Sequence, residues 1–339
     1  MITGTIRKLA ASESLTFEES LISMTQIMSG EVSEIQLAAF LVSLQIKGAT
    51  SDEIAGMATA MREKATQISL DYDLVDTCGT GGDGQNLFNI STACIFVAAG
   101  MGLKIAKHGN RAASGTCGSA DVLEGLGVNI ELSPEKVKQC IELVGAGFMF
   151  APMFHPAMKY AGPVRRELGM PTIFNLLGPL TNPAKATHQI LGVPNIDIGQ
   201  QMAESLQKME IKRGMVIHCE SEDGGVDELT LSGINHLWDI KKGVISYSKF
   251  TAADIGMEAV SLSQIKGKDK GFNASIITDV LDGNPSPHRE IILLNAGMIA
   301  KMCDLVTTLE EGIELAKKTI DSNQAKLKLV ELRELSSSL

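Results

Sequence analysis

The chain has 339 residues, of which 44% are hydrophobic and 21% charged, a composition typical of soluble globular proteins rather than disordered chains. This length supports a substantial core and favours two lobes over one. The formal net charge of −10 disfavours non-specific attraction to nucleic acids and anionic membranes, so we expect neither as a partner. An anionic ligand therefore needs a local basic pocket, or a metal ion, to overcome repulsion by the net negative charge of the protein.

The six cysteines form no CxxC pair and have no histidine-rich partner spacing. This pattern argues against structural zinc and a disulfide framework, and it suits a reducing compartment. The N-terminal sequence has no apolar signal-peptide core, and the longest nearly apolar run, 93–103, is too short to span a bilayer. We therefore expect a cytoplasmic protein without membrane segments.

The first 70 residues are predicted to form helices only. Three capping-box patterns precede apolar stretches, namely Thr16 with Glu19, Ser33 with Gln36, and Thr50 with Glu53. Gly48 is placed to end the second of these helices. We expect a small helical domain over residues 1–70.

From residue 74 onwards, short β runs alternate with helices. The candidate strands are 74–77, 103–107, 148–151, 214–218 and 244–247, and the candidate helices include 119–126, 134–144, 199–209 and 308–320. This alternation predicts a larger α/β domain over residues 71–339 with a largely parallel central sheet. Prolines break the rhythm over 152–187, where we expect short helical pieces that cross between the lobes. Part of this stretch, within 160–187, is expected to join the helical domain.

A glycine-rich loop follows the first predicted strand. Its sequence is Gly79-Thr80-Gly81-Gly82-Asp83-Gly84, and the polar run Asn89-Ile90-Ser91-Thr92 then precedes an apolar segment typical of a helix. Glycines let backbone N–H groups approach an anion, and a helix N-terminus adds a positive partial charge. The layout predicts a phosphate-binding site. The alternatives are glycines that serve only tight turns, or a dinucleotide-binding fingerprint.

The dinucleotide alternative requires an acidic residue about 20 positions further on, at the end of the next strand. That position holds the basic segment Lys107-His108-Gly109-Asn110-Arg111 instead, which disfavours a nicotinamide enzyme. Lysines are usually surface charges, but Lys107 follows an apolar run, and the carboxyl ends of strands face the ligand crevice in open sheets. Further donors are offered by Asn110, Arg111, Ser114 and Ser119. We interpret His108 as a hydrogen-bonding group rather than a proton shuttle.

Two further features lie outside this region. Asp227 and Glu228 follow a glycine pair and a predicted strand, so they either form a solvated hairpin tip or hold a magnesium ion against a polyphosphate. Arg165 and Arg166 lie in the proline-rich stretch, where they either form surface salt bridges, with Glu167 for example, or bind a carboxylate bidentately. A cleft facing the glycine loop would suit a small aromatic acid.

Taken together, these residues resemble the anthranilate phosphoribosyltransferase family. The matching segments are 76–84, 89–92, 107–111, 118–121, 155–158, 163–169, 172–180 and 226–228. The resemblance implies a fold shared with pyrimidine nucleoside phosphorylases, with a small helical domain, a larger α/β domain and a homodimer formed through the helical domain. It also implies a reaction of tryptophan synthesis, in which anthranilate and 5-phosphoribosyl 1-diphosphate give N-(5-phosphoribosyl)anthranilate and diphosphate, with Mg²⁺ as cofactor.

The resemblance also assigns expected roles to individual residues. The expected ligands of the phosphoribosyl diphosphate are Gly79, Gly82, Asp83, Asn89, Ser91, Thr92, Lys107 and Ser119. The expected magnesium ligands are Ser91, Asp227 and Glu228, and Asn110 and Arg165 are expected to contact anthranilate. The expected substrate site further includes Ile90, His108, Gly109, Arg111, Ala112, Ala113, Ser114 and Gly115. Lys107 and Arg165 are the expected catalytic residues.

Two other functions on this scaffold are weighed against this one. A pyrimidine nucleoside phosphorylase binds free phosphate and needs no magnesium carboxylates, so Asp227, Glu228 and Arg165 argue against it. A nucleic-acid-binding relative of the fold is disfavoured by a sequence pI near 5.2 and by the absence of a basic stripe.

One departure from the family pattern yields a prediction. The family usually has Thr before the Phe of its T-F-N-x-S-T run, and this chain has Leu87 there. The missing hydroxyl contact should weaken binding of the diphosphate substrate by about 0.5–1.5 kcal/mol, the net value of one neutral hydrogen bond. Leu87→Thr should therefore lower KM for that substrate in steady-state kinetics, and an unchanged or higher KM would contradict this explanation.

Overall fold

The structure is a computed structural model that describes residues 2–112 and 115–339. Its helices are α1 Ile2–Ala10, α2 Phe17–Met28, α3 Glu34–Lys47, α4 Ser51–Lys64, α5 Ile90–Gly100, α6 Ser119–Gly125, α7 Pro134–Leu143, α8 Ala151–Phe154, α9 Gly162–Leu168, α10 Phe174–Leu177, α11 Gly199–Lys208, α12 Lys270–Leu281, α13 Pro287–Met302, α14 Leu309–Asp321 and α15 Gln324–Ser338. Its strands are β1 Val75–Gly79, β2 Ile105–Gly109, β3 Ala146–Phe150, β4 His188–Gly192, β5 Arg213–Ser221, β6 Gly224–Val226, β7 Gly233–Lys241 and β8 Val244–Phe250.

The N-terminal helices begin where the capping patterns place them. Each of the three predicted boxes is formed reciprocally, with the cap hydroxyl accepting from the N3 backbone N–H and the N3 side chain accepting from the cap backbone N–H. Gly48 ends α3 with a φ of +81°, in the left-handed region that favours glycine. Helix α1 lies within the range predicted to be helical, although no capping pattern marked its start.

The sheet has eight strands in the order β3-β2-β1-β4-β5-β7-β8, with β6 also paired to β5. The pairs from β3 to β5 are parallel, whereas β6, β7 and β8 are added antiparallel. The predicted α/β class with a largely parallel sheet is therefore confirmed. The four named candidate helices agree with α6, α7, α11 and α14 to within one residue at each end.

The strand predictions were less accurate. Strands β4 and β7 were missed because their buried polar residues, including Gln189 and His236, interrupt the apolar pattern, and β6 was missed because it has only three residues, two of them glycines. Strand β2 also extends two residues beyond the predicted range. His108 and Gly109 therefore belong to the strand itself rather than to the loop after it.

Side chains of the central strands alternate between two cores. Ile190, Met215 and Ile217 pack with α5 and α13 on one face of the sheet. Leu191 and Val216 pack on the other face, in a core that also contains the N-terminal helices and α11. This alternation is the period of two expected for strands buried on both faces.

The proline-rich stretch contributes to the second core. Short helices occur there as predicted, and α9 and α10 contact α3 and α4 respectively. Arg62 of α4 reaches across and donates from Nε to the carbonyl of Leu180 at 2.5 Å. Among the described residues, no helix combines the length and apolar character that crossing a bilayer requires.

Candidate active site

A cleft of about 700 Å³ opens at the carboxyl ends of β1 and β2. This is the edge at which open parallel sheets bind ligands. All described residues of the sequence-predicted site line it, and they are Gly79, Gly82, Asp83, Asn89, Ile90, Ser91, Thr92, Lys107, His108, Gly109, Asn110, Arg111, Ala112, Gly115, Ser119, Arg165, Asp227 and Glu228. The two remaining predictions, Ala113 and Ser114, lie outside the described residues.

The glycine-rich loop between β1 and α5 is shaped by left-handed backbone conformations. Gly81, Gly82 and Gly84 have φ values of +67°, +83° and +70°. An L side chain at these positions would be strained even though no neighbour lies within 4 Å of its Cβ position. The loop therefore exposes bare backbone to the cleft, as an anion-binding loop requires.

Asp227 and Glu228 bring two carboxylates to the same cleft from the end of the β5–β6 hairpin. Asp227 Oδ2 accepts a hydrogen bond from the N–H of Gly81 at 2.8 Å, and Glu228 Oε1 accepts from the N–H of Ser91 at 3.1 Å. Burial, together with the nearby Asp83, raises the pKa of Asp227 to about 7. Burial and the charge of Asp227 raise the pKa of Glu228 to about 8. The solvated hairpin tip is therefore the wrong interpretation of this pair.

The acidic pair approaches the sheet because two glycines leave room for it. Gly79 of β1 and Gly192 of β4 are direct partners in the parallel ladder. A Cβ on Gly79 would lie 2.9 Å from Asp227 Cγ, and a Cβ on Gly192 would overlap the carbonyl group of Asp227, 2.6 Å from its carbon. Gly192 was missed from the sequence, because its significance comes from a contact with a residue 35 positions away.

Lys107 supplies positive charge beneath the first turn of α5. Its side chain is 2% exposed, and Nζ donates to the carbonyl of Thr77 at 2.5 Å and to Ser91 Oγ at 3.3 Å. The buried Asp76 lies behind it and accepts from the N–H of His108 at 3.3 Å. Burial raises the pKa of Asp76, while the Lys107 charge opposes that rise. Lys107 is thus a built-in cation of the site, not a surface charge.

His108 pairs with a second histidine. Nε2 of His108 lies 3.2 Å from Nε2 of His155, which belongs to the 155–158 motif and has no role predicted from the sequence. Burial and the neighbouring positive charges lower the pKa of His108 to about 3, and burial lowers that of His155 to about 4. Both rings are therefore neutral at pH 7, with one donating to the other. This geometry agrees with a hydrogen-bonding role for His108.

Arg165 lies across the cleft from the glycine loop, on α9. Its guanidinium carbon lies 5.0 Å from the ring centroid of Phe174, which also lines the cleft. Burial lowers the pKa of Arg165, and no carboxylate within 4.0 Å pairs with it among residues 2–112 and 115–339. A half-buried, unpaired guanidinium stacked on an aromatic ring is suited to receive a carboxylate from a ligand.

Arg111 differs from Arg165 in this respect. Its guanidinium donates to Asp121 at 3.1 Å and to both carboxylate oxygens of Glu124 at 2.8 Å. Ser119 is the first residue of α6, and its Oγ donates to the carbonyl of Asn110 at 3.2 Å. The structure therefore ties both predicted donors into the loop between β2 and α6, which they brace.

The donor set fits a magnesium ion. Mg²⁺ prefers oxygen ligands and usually takes one or two protein carboxylates, with water and substrate oxygens completing its shell. Within the described part of the chain, no three His, Cys, Asp or Glu side chains converge on one point. Burial and neighbouring carboxylates raise the pKa values of Asp227 and Glu228, and a cation shared with a polyanionic ligand would offset that repulsion.

Comparison with known proteins identifies the class. A glycosyl transferase family, helical bundle domain, matches residues 4–65, and a glycosyl transferase family, a/b domain, matches residues 71–326. Fold and cleft thus define a two-domain glycosyl transferase.

Individual relatives narrow the family. An anthranilate phosphoribosyltransferase from Dehalococcoides mccartyi is 47% identical over 341 residues, covering 100% of this chain and 99% of the relative. The crystal structure of the Thermus thermophilus anthranilate phosphoribosyltransferase has a TM-score of 0.92 and 41% identity, covering 98% of this chain and 99% of that one. The Saccharomyces cerevisiae enzyme in complex with PRPP and Mg has a TM-score of 0.90 and 26% identity, covering 100% of this chain and 98% of that one. The chain belongs to the anthranilate phosphoribosyltransferase family, as its motifs indicated.

Leu87, the departure from the family pattern, lies in the wall of the cleft. Its backbone forms an antiparallel bridge with Lys266. The matched control for the Leu87→Thr substitution described above is Leu87→Val, because valine has nearly the shape of threonine but no hydroxyl.

The close approach of Asp227 to β4 yields a second prediction. Gly192→Ala should displace the Asp227 backbone and reduce kcat/KM by about 100-fold, because a shift of about 1 Å in a site residue can have that effect. Gly214→Ala is the matched control on the neighbouring strand, where the atoms nearest to a Cβ belong to the side chains of Ile240 and Ile211. Steady-state kinetics with melting curves of both variants provide the measurement. Unchanged kinetics in Gly192→Ala would show that this contact does not position the acidic pair.

Proposed function

We infer that the chain transfers the phosphoribosyl group from 5-phosphoribosyl 1-diphosphate to anthranilate, giving N-(5-phosphoribosyl)anthranilate and diphosphate in tryptophan synthesis. One observation carries this conclusion. A single cleft has an anion-binding loop, a buried lysine and an acidic pair on one wall, and the unpaired Arg165 on the other. The reaction joins a diphosphate donor to a carboxylate-bearing acceptor, so it needs both walls at once.

Binding of the phosphoribosyl donor depends on backbone N–H groups and on Lys107. The loop N–H groups, the first turn of α5 and Lys107 would bind the diphosphate and disperse the negative charge that grows on it as the anomeric C–O bond breaks. Because Lys107 is held by Thr77 and Ser91, it is oriented before the ligand arrives. Stabilisation that needs no reorganisation is the most effective kind.

We propose Mg²⁺ as the cofactor, held by Asp227, Glu228 and Ser91. When bound, the ion would supply Lewis-acid stabilisation of the departing diphosphate. The backbone N–H groups of Gly81 and Ser91 fix the two carboxylates in place. Metal binding requires both carboxylates to be ionised, so affinity should increase as pH rises through the raised pKa values.

The acceptor side rests on Arg165, with Asn110 as a second contact. A guanidinium fork binds a carboxylate bidentately and so fixes both its position and its plane. Phe174 beside it offers an aromatic face to the anthranilate ring. We propose that this holds the amine opposite the anomeric carbon, where proximity alone lowers the barrier.

The chemistry does not require a general base from the protein. The aryl amine is neutral at pH 7 and attacks as the C–O bond breaks, and its surplus proton can pass to water or to the released diphosphate. With a pKa of about 3, His108 is a poor proton acceptor. We assign His108 and His155 to hydrogen bonding within the cleft wall.

The proposed function is tested by following the loss of anthranilate fluorescence. Consumption should require both the ribose diphosphate and Mg²⁺, and thymidine with phosphate should give no reaction. In Arg165→Ala, KM for anthranilate should rise about 10- to 100-fold, the effect of losing a charged hydrogen-bonding partner, while KM for the diphosphate changes little. Arg165→Lys keeps the charge but loses the planar guanidinium. Its KM for anthranilate should lie between those of the wild type and Arg165→Ala. Cleavage of thymidine, or equal effects on both KM values, would contradict the assignment.

We also propose that two copies associate through the helical domain. Helix α3 exposes an apolar stripe at the helical spacing of 35, 39, 42 and 46. Ile35 and Ile46 at its ends are 84% and 80% exposed. Such large apolar side chains on one helix face are typical of an association surface.

The association is tested by light scattering after size-exclusion chromatography. Ile35→Glu combined with Ile46→Glu should halve the measured mass, because four glutamates would meet in a symmetric interface. Leu143→Glu on α7, where the leucine is 71% exposed, is the control that should leave the mass unchanged. Neither Ile35 nor Ile46 lines the cleft, so the variant should keep its activity within about threefold. A wild-type mass equal to that of one chain would refute the proposal.

A further inference from the structure

A segment far along the chain runs beside the end of the glycine-rich loop. We call residues 265–273 the strap. The N–H of Phe88 donates to the carbonyl of Ile265 at 3.2 Å, and the N–H of Gly267 donates to the carbonyl of Asn86 at 2.8 Å. Between these bonds lies the antiparallel bridge from Leu87 to Lys266. The strap contributes no residue to the cleft wall, yet it holds the segment that leads into α5.

A lysine on the strap adds a second connection. Lys266 Nζ donates to the carbonyl of Gln85 at 2.7 Å and contacts its Oε1 at 3.2 Å. The amide nitrogen of Gln85 in turn donates to the carbonyl of Asp223 at 2.8 Å, in the turn of the hairpin that carries the acidic pair. The strap thus joins the glycine loop to that hairpin.

Asn273, the last residue of the strap, is 1% exposed and makes a directional chain of hydrogen bonds. Its Oδ1 accepts from the backbone N–H of Lys268 at 2.8 Å, and its Nδ2 donates to Asn89 Oδ1 at 2.9 Å. Asn89 Nδ2 then donates to the carbonyl of Cys117 at 2.9 Å. These hydrogen bonds therefore link the strap, the start of α5 and the loop between β2 and α6.

The backbone groups at the two ends of this series of hydrogen bonds fix its donor-to-acceptor direction. A backbone N–H can only donate and a carbonyl can only accept, so neither amide can be reversed without losing a hydrogen bond. Asn89 consequently turns its oxygen towards Asn273 and its NH₂ group away from it. Only one of the two N–H bonds of that group has an acceptor among the described residues, which leaves the other for a ligand.

We propose that Asn273 is a positioning residue for the diphosphate substrate, acting by holding the amide of Asn89 with its N–H towards the ligand. This inference rests on the proposed role of Asn89 in donor binding. Asn273 does not itself line the cleft and reaches it only through Asn89, so its effect should reach the diphosphate donor but not anthranilate.

Two substitutions test the role. Asn273→Ala removes the donor to Asn89, and Asn273→Asp keeps the volume and the acceptor for Lys268 but turns a carboxylate oxygen towards Asn89 Oδ1. Both should raise KM for the diphosphate about 3- to 10-fold, the equivalent of one hydrogen bond, and leave KM for anthranilate within about twofold. Ala274→Gly is the control, because it weakens the same helix at a buried neighbour without touching Asn89.

A double-mutant cycle with Asn89→Ala separates this inference from the proposed site. If Asn273 acts through Asn89, Asn273→Ala should have no further effect on KM in the Asn89→Ala background. An unchanged KM in Asn89→Ala itself would refute the role of Asn89 in the site. A normal KM in both Asn273 variants, additive effects in the cycle, or an equal rise in Ala274→Gly would refute the positioning role alone. Should Asn273→Ala not fold, the isosteric Asn273→Asp decides the question.

Discussion

The contact between Asp227 and the glycines of two adjacent parallel strands is the constraint on which the rest of the site depends. A side chain on Gly192 would overlap the Asp227 backbone, and a side chain on Gly79 would displace the Asp227 carboxylate. Because both positions are glycines, two carboxylates face the glycine loop from below and are fixed by N–H groups of that loop and of α5. The antiparallel addition of β6 to an otherwise parallel edge thus has a direct function, since it returns the chain to the carboxyl ends of the strands.

The cleft is made attractive to anions by a few buried cations and not by an overall excess of positive charge. The chain carries a net charge of −10, yet two cations line the cleft, Lys107, which is buried, and Arg165, which is half-buried. Arg111 is more exposed and is neutralised by two carboxylates. An acidic protein in this family can therefore bind a polyanion, because the local field of a few desolvated groups outweighs that of distant, screened charges.

Much of the site could be predicted from the sequence, because its signals are local. The glycine loop, the polar residues before α5 and the basic residues of β2 each form a short run, and the capping boxes marked the N-terminal helices. Gly192, Phe174 and Asn273 could not be identified this way. Each is an ordinary residue in its own segment, and its importance arises from a partner remote in sequence. Strands β4 and β7 were missed for a related reason, since buried polar side chains satisfied by tertiary contacts hide the apolar pattern.

The fold has a consequence for how the protein is made. Helices α9 and α10 complete the core beneath α3 and α4, and the amino-terminal helices share that core with residues as far along as Ile240. A nascent chain must therefore emerge well past the middle of its length before its first hydrophobic core can close. Until then the apolar faces of α2 to α4 remain without their native cover, and the growing chain is prone to aggregate.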